Sequence, residues 1–95
     1  MNPFVEAIRI VETRGWTRQP KLFGGNYPIC IGMALDLAMN YGDKYAPASL
    51  ICKYVNERYG TPAVIFVNDH IIETHQEAVN VLRECARRWE TRGTQ

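Results

Sequence analysis

The sequence predicts a mainly α-helical domain: four helices, the second central and apolar, with one short β-strand or hairpin at the side. Three observations predict it. Four stretches repeat apolar residues at helical spacing behind start signals, which are Asn2-Pro3, Pro28, Pro47 and Thr74. The second stretch, residues 29–39, carries a single charge, Asp36, and so reads as a helix buried on nearly all sides. Only one run, Ala63-Val64-Ile65-Phe66-Val67, has the β-branched composition and length of a strand. At 95 residues the chain supports one core and one domain, residues 1–95.

In the first element Asn2 caps and Pro3 takes the first helical position, after which Phe4, Ala7, Ile8 and Val11 form the stripe. Gly15 supplies the stop, and Trp16 is placed to fold back on the last turn. Residues 17–27, with Pro20, Gly24, Gly25 and Asn26, show no period and read as a loop packed on the body through Leu22, Phe23 and Tyr27. Pro28 opens the second helix, whose small Gly32, Ala34 and Ala38 let neighbours approach; residues 40–43 end it. The third runs from Pro47 to about Tyr59 on a stripe of Leu50, Ile51, Tyr54 and Val55, with Gly60 as its stop.

The strand at 63–67 needs a ladder partner: the loop 17–27, Ile71-Ile72, or another chain. Asn68-Asp69 reads as a turn. Thr74-His75-Gln76-Glu77 fits a capping box, and Ala78, Val79, Leu82, Cys85, Ala86 and Trp89 line one face of the last helix. Glu84 and Arg88 are spaced as an i,i+4 pair, Arg87, Arg88 and Arg92 suit the negative end of the dipole, and residues 91–95 read as a frayed tail. The expected core gathers Leu35, Leu37, Leu50, Val79 and Leu82 around the second helix.

Apolar residues make up 46% and charged residues 22%, which places the chain among ordinary globular domains. Eleven Lys and Arg against ten Asp and Glu leave a net charge of +1, so binding to nucleic acid or an anionic membrane through bulk charge is not expected. Cys30, Cys52 and Cys85 are odd in number and lack a C-x-x-C spacing, as expected of reduced apolar fillers in a cytoplasmic protein. No secretory signal is visible, and no apolar run has the length of a membrane span. No metal and no cofactor are expected.

Four segments fall in a familiar order. Gly15-Trp16 closes the first helix, Cys30-Ile31-Gly32-Met33-Ala34-Leu35 opens the second, Phe66-Val67-Asn68-Asp69 follows the strand, and Thr74-x-x-Glu77-Ala78-Val79 opens the last helix. In that order, over residues 4–87, the chain resembles a small family of actinobacterial proteins and their bacteriophages, the domain of unknown function 6197. The family has no established activity. The resemblance implies an origin, in a bacterium or its phage and hence in a host cytoplasm, and no mechanism.

Five sets of residues are candidates for chemistry. Cys30 at a helix start, His70 beyond the strand and Asn68 or Asp69 as orienter follow the order of thiol hydrolases; packing of Cys30 between Ile29 and Ile31 is the preferred reading. Asn68 and Asp69 at a strand end suit a ligand or partner, although an Asx-turn accounts for them more simply. Asp69, His70 and Glu73 form at best a weak metal set. Gly24-Gly25-Asn26 before a helix is reminiscent of an anion cradle for a nucleotide, and is more often a plain turn. Trp16 among Arg9, Arg14, Arg18 and Lys21 suits RNA or an acidic protein, with a solvated face preferred because Glu6 and Glu12 dilute the charge.

The function expected from these readings is non-enzymatic: a small binding protein that occupies a host or defence protein as a stoichiometric inhibitor, or holds a small anionic ligand such as a nucleotide. Its expected contact residues are Trp16, Arg18, Gly24, Gly25, Asn26, Asn68 and Asp69. A homodimer is expected through strand pairing or the last helix. The alternative is a cysteine-dependent hydrolase or transferase using Cys30 and His70.

Overall fold

A computed structural model describes residues 2–20, 27–39 and 45–92. The described chain is mainly helical: α1 (Pro3–Arg14), α2 (Ile31–Ala38), α3 (Tyr45–Tyr59), α4 (Val64–Phe66) and α5 (His75–Thr91), with a π-helical segment (Val67–Ile71) continuing α4. Its radius of gyration is 12.4 Å, the value of one compact domain of this length.

Helix α1 forms as its sequence dictates. The Asn2 side chain accepts from the Phe4 N–H at 3.0 Å, Pro3 follows, and Gly15 closes the helix at φ 89°, a region that favours glycine. Phe4, Ala7 and Val11 are fully buried, and α1 packs against both α2 and α5. That shared packing makes α1 the hub of the bundle. Helix α2 instead keeps a surface: Asp36 is exposed, and Leu37, expected in the core, is 47% exposed. Leu35, Val79 and Leu82 are buried as expected, and Leu50 packs on the core's edge.

Helix α2 begins later than its proline suggests. Ile29 is extended: its N–H donates to the Gly15 carbonyl at 2.9 Å, and its carbonyl accepts from the Thr17 N–H at 3.1 Å. This parallel bridge between Trp16 and Ile29 holds the chain straight past Pro28, so the first helical residue is Ile31 and Cys30 becomes the cap. Helix α3 begins earlier, at Tyr45, because Pro47 still lies in the first turn, where a missing N–H costs no helical bond.

The expected strand at 63–67 is helical, and no sheet forms among the described residues. Among the described residues the β-branched run has no second strand to pair with, and a helix satisfies its backbone within the segment. The Val67 N–H donates to the Ala63 carbonyl and the Ile72 N–H to the Val67 carbonyl, both at 2.9 Å. Asn68 and Asp69 therefore lie inside the π segment, and not in a turn. The chain reverses at 73–74, where the Thr74 hydroxyl accepts from the Glu77 N–H at 3.1 Å. Glu77 reaches back one residue past the cap, accepting from the Glu73 N–H at 3.3 Å. Helix α5 stays regular to Thr91, so the expected fraying does not begin there; residues 93–95 lie outside the described part.

Candidate functional site

The residues singled out at 16–18 and 68–69 do come together, and the fold uses them. Asn68 is fully buried. Its Oδ1 accepts from the Trp16 indole N–H at 2.6 Å and from the Ile31 backbone N–H at 3.1 Å. Its Nδ2 donates to the Thr17 carbonyl at 3.2 Å and to Asp69 Oδ1 at 2.9 Å. Two lone pairs and two N–H groups are the full capacity of an amide side chain, so nothing remains for a ligand. One side chain thus ties the post-α1 segment, the start of α2 and the π segment together.

Its neighbours are occupied too. Asp69 Oδ1 also accepts from the Gln19 N–H at 2.8 Å, which holds Gln19 at φ 45° in the left-handed region. Arg18 Nε donates to the Ile72 carbonyl at 2.6 Å. The cationic stretch around Trp16 is engaged in the same way: Arg9 pairs with Glu6, and Arg14 Nε donates to the Tyr27 carbonyl. Lys21 and the candidate cradle Gly24, Gly25 and Asn26 lie outside the described residues.

Cys30 occupies the helix start foreseen for it, as the cap of α2. Its sulfur accepts from the Met33 N–H at 3.4 Å, and the residue is 5% exposed. Burial pushes the thiol pKa up; the Met33 and Gly32 N–H groups oppose this, and the nearby Asp69 charge adds to it. An imidazole would have to lie between thiol and carboxylate for a hydrolase. His70 is instead exposed, its ring 4.9 Å from that of Phe66. Asp69, His70 and Glu73 do not form a metal set: among the described residues no three His, Cys, Asp or Glu side chains converge.

Cys30 does border a shallow groove of about 290 Å³, whose other walls are Gly32, Met33, Asp36 and Ile65. Beside it the surface is apolar. Ile65 is 67% and Phe66 50% exposed on α4, and Met33 is half-buried. Sequence reasoning missed this surface because a strand at 63–67 would have buried alternate side chains. The signal was present: a β-branched run without a partner strand has nowhere to hide both faces.

The two segments expected to form a homodimer are used within the fold. The segment at 63–67 has no strand edge, and the apolar stripe of α5 faces α1 and α3. Trp89 at its end packs edge-on against Phe4, with ring centroids 5.9 Å apart. No helix among the described residues is long and apolar enough to cross a membrane. No family model, curated protein or solved structure matches the chain.

Proposed function

We propose that the protein is a small binding protein that docks a partner protein through the apolar surface of α2 and α4. The observation that carries this reading is the exposure of Ile65 and Phe66, neighbours on one short helix beside an open groove. Large apolar side chains grouped on one surface are characteristic of contact sites. The polar groups expected to make the contact, Trp16, Arg18, Asn68 and Asp69, are committed to internal bonds. A bacterial host or defence protein is the partner class that the resemblance to the actinobacterial and phage family favours.

Catalysis by Cys30 has less support, since its thiol is raised by burial and His70 is turned to Phe66. The test is a paired substitution, Ile65→Asp with Phe66→Asp, in the whole chain. Both side chains are at least half exposed, so the melting temperature should hold while proteins that co-purify with the wild type are lost. Retention of the same proteins by the folded variant contradicts the reading.

A further inference from the structure

A second groove, of about 310 Å³, lies between α3 and α5. Its walls are Leu50, Lys53 and Glu57 from α3, Arg88 and Thr91 from α5, and Arg92 at the cap of α5. Lys53 and Glu57 stand one turn apart on α3, as do Arg88 and the cap residue Arg92 at the end of α5. Both guanidinium groups are held by aromatic rings. Arg88 Cζ lies 4.8 Å from the centroid of Tyr54, and Arg92 Cζ lies 3.3 Å from that of Trp89.

A guanidinium stacked on a ring keeps its N–H edge free for an acceptor in its own plane. It also has less side-chain freedom left to lose on binding. Arg88 directs Nη1 to Glu57 at 2.8 Å and Nε to Glu84 at 3.3 Å, and Arg92 directs Nη1 to the Trp89 carbonyl. Donors remain on Arg88 Nη2, on Arg92 Nε and Nη2, and on the Lys53 ammonium. Charge favours an anion as well: three cations, Lys53, Arg88 and Arg92, line the groove with one carboxylate, Glu57.

We infer that this groove binds a phosphoryl group, between Lys53, Arg88 and Arg92. A carboxylate offers two oxygens and one charge. A phosphate dianion offers three oxygens and answers two guanidinium edges and an ammonium together. The site is separate from the α2–α4 surface, and its failure leaves the docking reading untouched.

The experiment is a two-dimensional NMR titration of the whole chain with inorganic phosphate and, in a second arm, with a nucleoside monophosphate. Saturable shifts confined to Lys53, Arg88, Arg92 and their neighbours are expected. Lys53→Glu and Arg92→Glu should each weaken binding roughly tenfold or more. Arg83→Glu, on α5 but outside the groove, should weaken it less than about twofold. Tighter binding of the nucleotide would assign the ligand to that class, and equal binding would assign the phosphoryl group alone. Shifts that never saturate overturn the proposal. So does an Arg83→Glu loss as large as that of Arg92→Glu, which marks diffuse charge.

Discussion

The Trp16 indole N–H donates to Asn68 Oδ1 at 2.6 Å, across 52 positions of sequence. The same oxygen accepts from the Ile31 N–H, so a single buried atom links the exit of α1 to the entry of α2. A buried polar group with every bond made adds specificity; robbed of one partner, it leaves the others unpaired. Asn68→Ala should therefore cost about 2–4 kcal/mol, because the Ile31 N–H and the Trp16 N–H lose their acceptor. Trp16→Phe removes one donor and should cost about 1–2 kcal/mol. The two losses should fall short of additive in a double-mutant cycle read by urea melts, and simple additivity would separate the residues.

Thiol reactivity distinguishes the reading of Cys30 as a cap from that of a nucleophile. Burial raises the Cys30 pKa and pushes that of Cys85 up to about 12, whereas Cys52 is half-buried. Iodoacetamide near neutral pH should modify Cys52 first, and His70→Ala should leave the Cys30 rate unchanged. A Cys30 rate about a hundredfold above that of Cys52, lost in His70→Ala, would restore the thiol-hydrolase reading.

Alkaline pH should weaken the fold, most strongly through two groups, Tyr59 and Cys85. Burial, the hydrogen bond to Glu77 and its charge push Tyr59 up to about 12, and burial does the same to Cys85. A pKa higher in the folded than in the unfolded state gives stability that is full below the unfolded value and lost on rising through the folded one. The window therefore runs from about 9, where an unfolded thiol ionises, to about 12. Urea midpoints measured across it should fall, and Tyr59→Phe should make the fall shallower. A flat profile would contradict both shifts.

Two leucines two positions apart on α2 should behave differently. Leu35 is 3% exposed and Leu37 47%. Leu35→Ala should cost about 2–5 kcal/mol, and Leu37→Ala less than about 1 kcal/mol. Equal losses in denaturant melts would show that α2 is buried on both sides.

The helices at residues 3–14 and 75–91 were legible because their signals are local. Asn2 and Thr74 cap as their types suggest, and the stripes Phe4–Ala7–Val11 and Ala78–Val79–Leu82 turn inward. The segment at 63–67 was misread because β propensity reflects packing on a sheet, and the described residues offer no sheet to pack on. Asn68 and Asp69 stood out in the sequence as contact candidates separate from Trp16 and Arg18, and the structure joins the four in one hydrogen-bonded region. What those residues do was hidden, because an amide whose partners lie 37 and 52 positions away carries no sign in sequence of being satisfied. Arg88 and Arg92 of the α3–α5 groove were visible only as helix-end charges until Tyr54 and Trp89 were placed beneath them.

Ile65 and Phe66 are proposed to face a partner, while Trp16 and Asn68 hold the fold. Site-specific photo-crosslinking tests that contact most directly, with a photoreactive side chain at position 66 and a control at position 83. A discrete adduct with a second, different protein is predicted from position 66 and none from position 83. An adduct of twice the chain's own mass would replace the foreign partner with a second copy. No adduct from position 66, or the same adducts from both positions, would show that Ile65 and Phe66 do not form a docking surface.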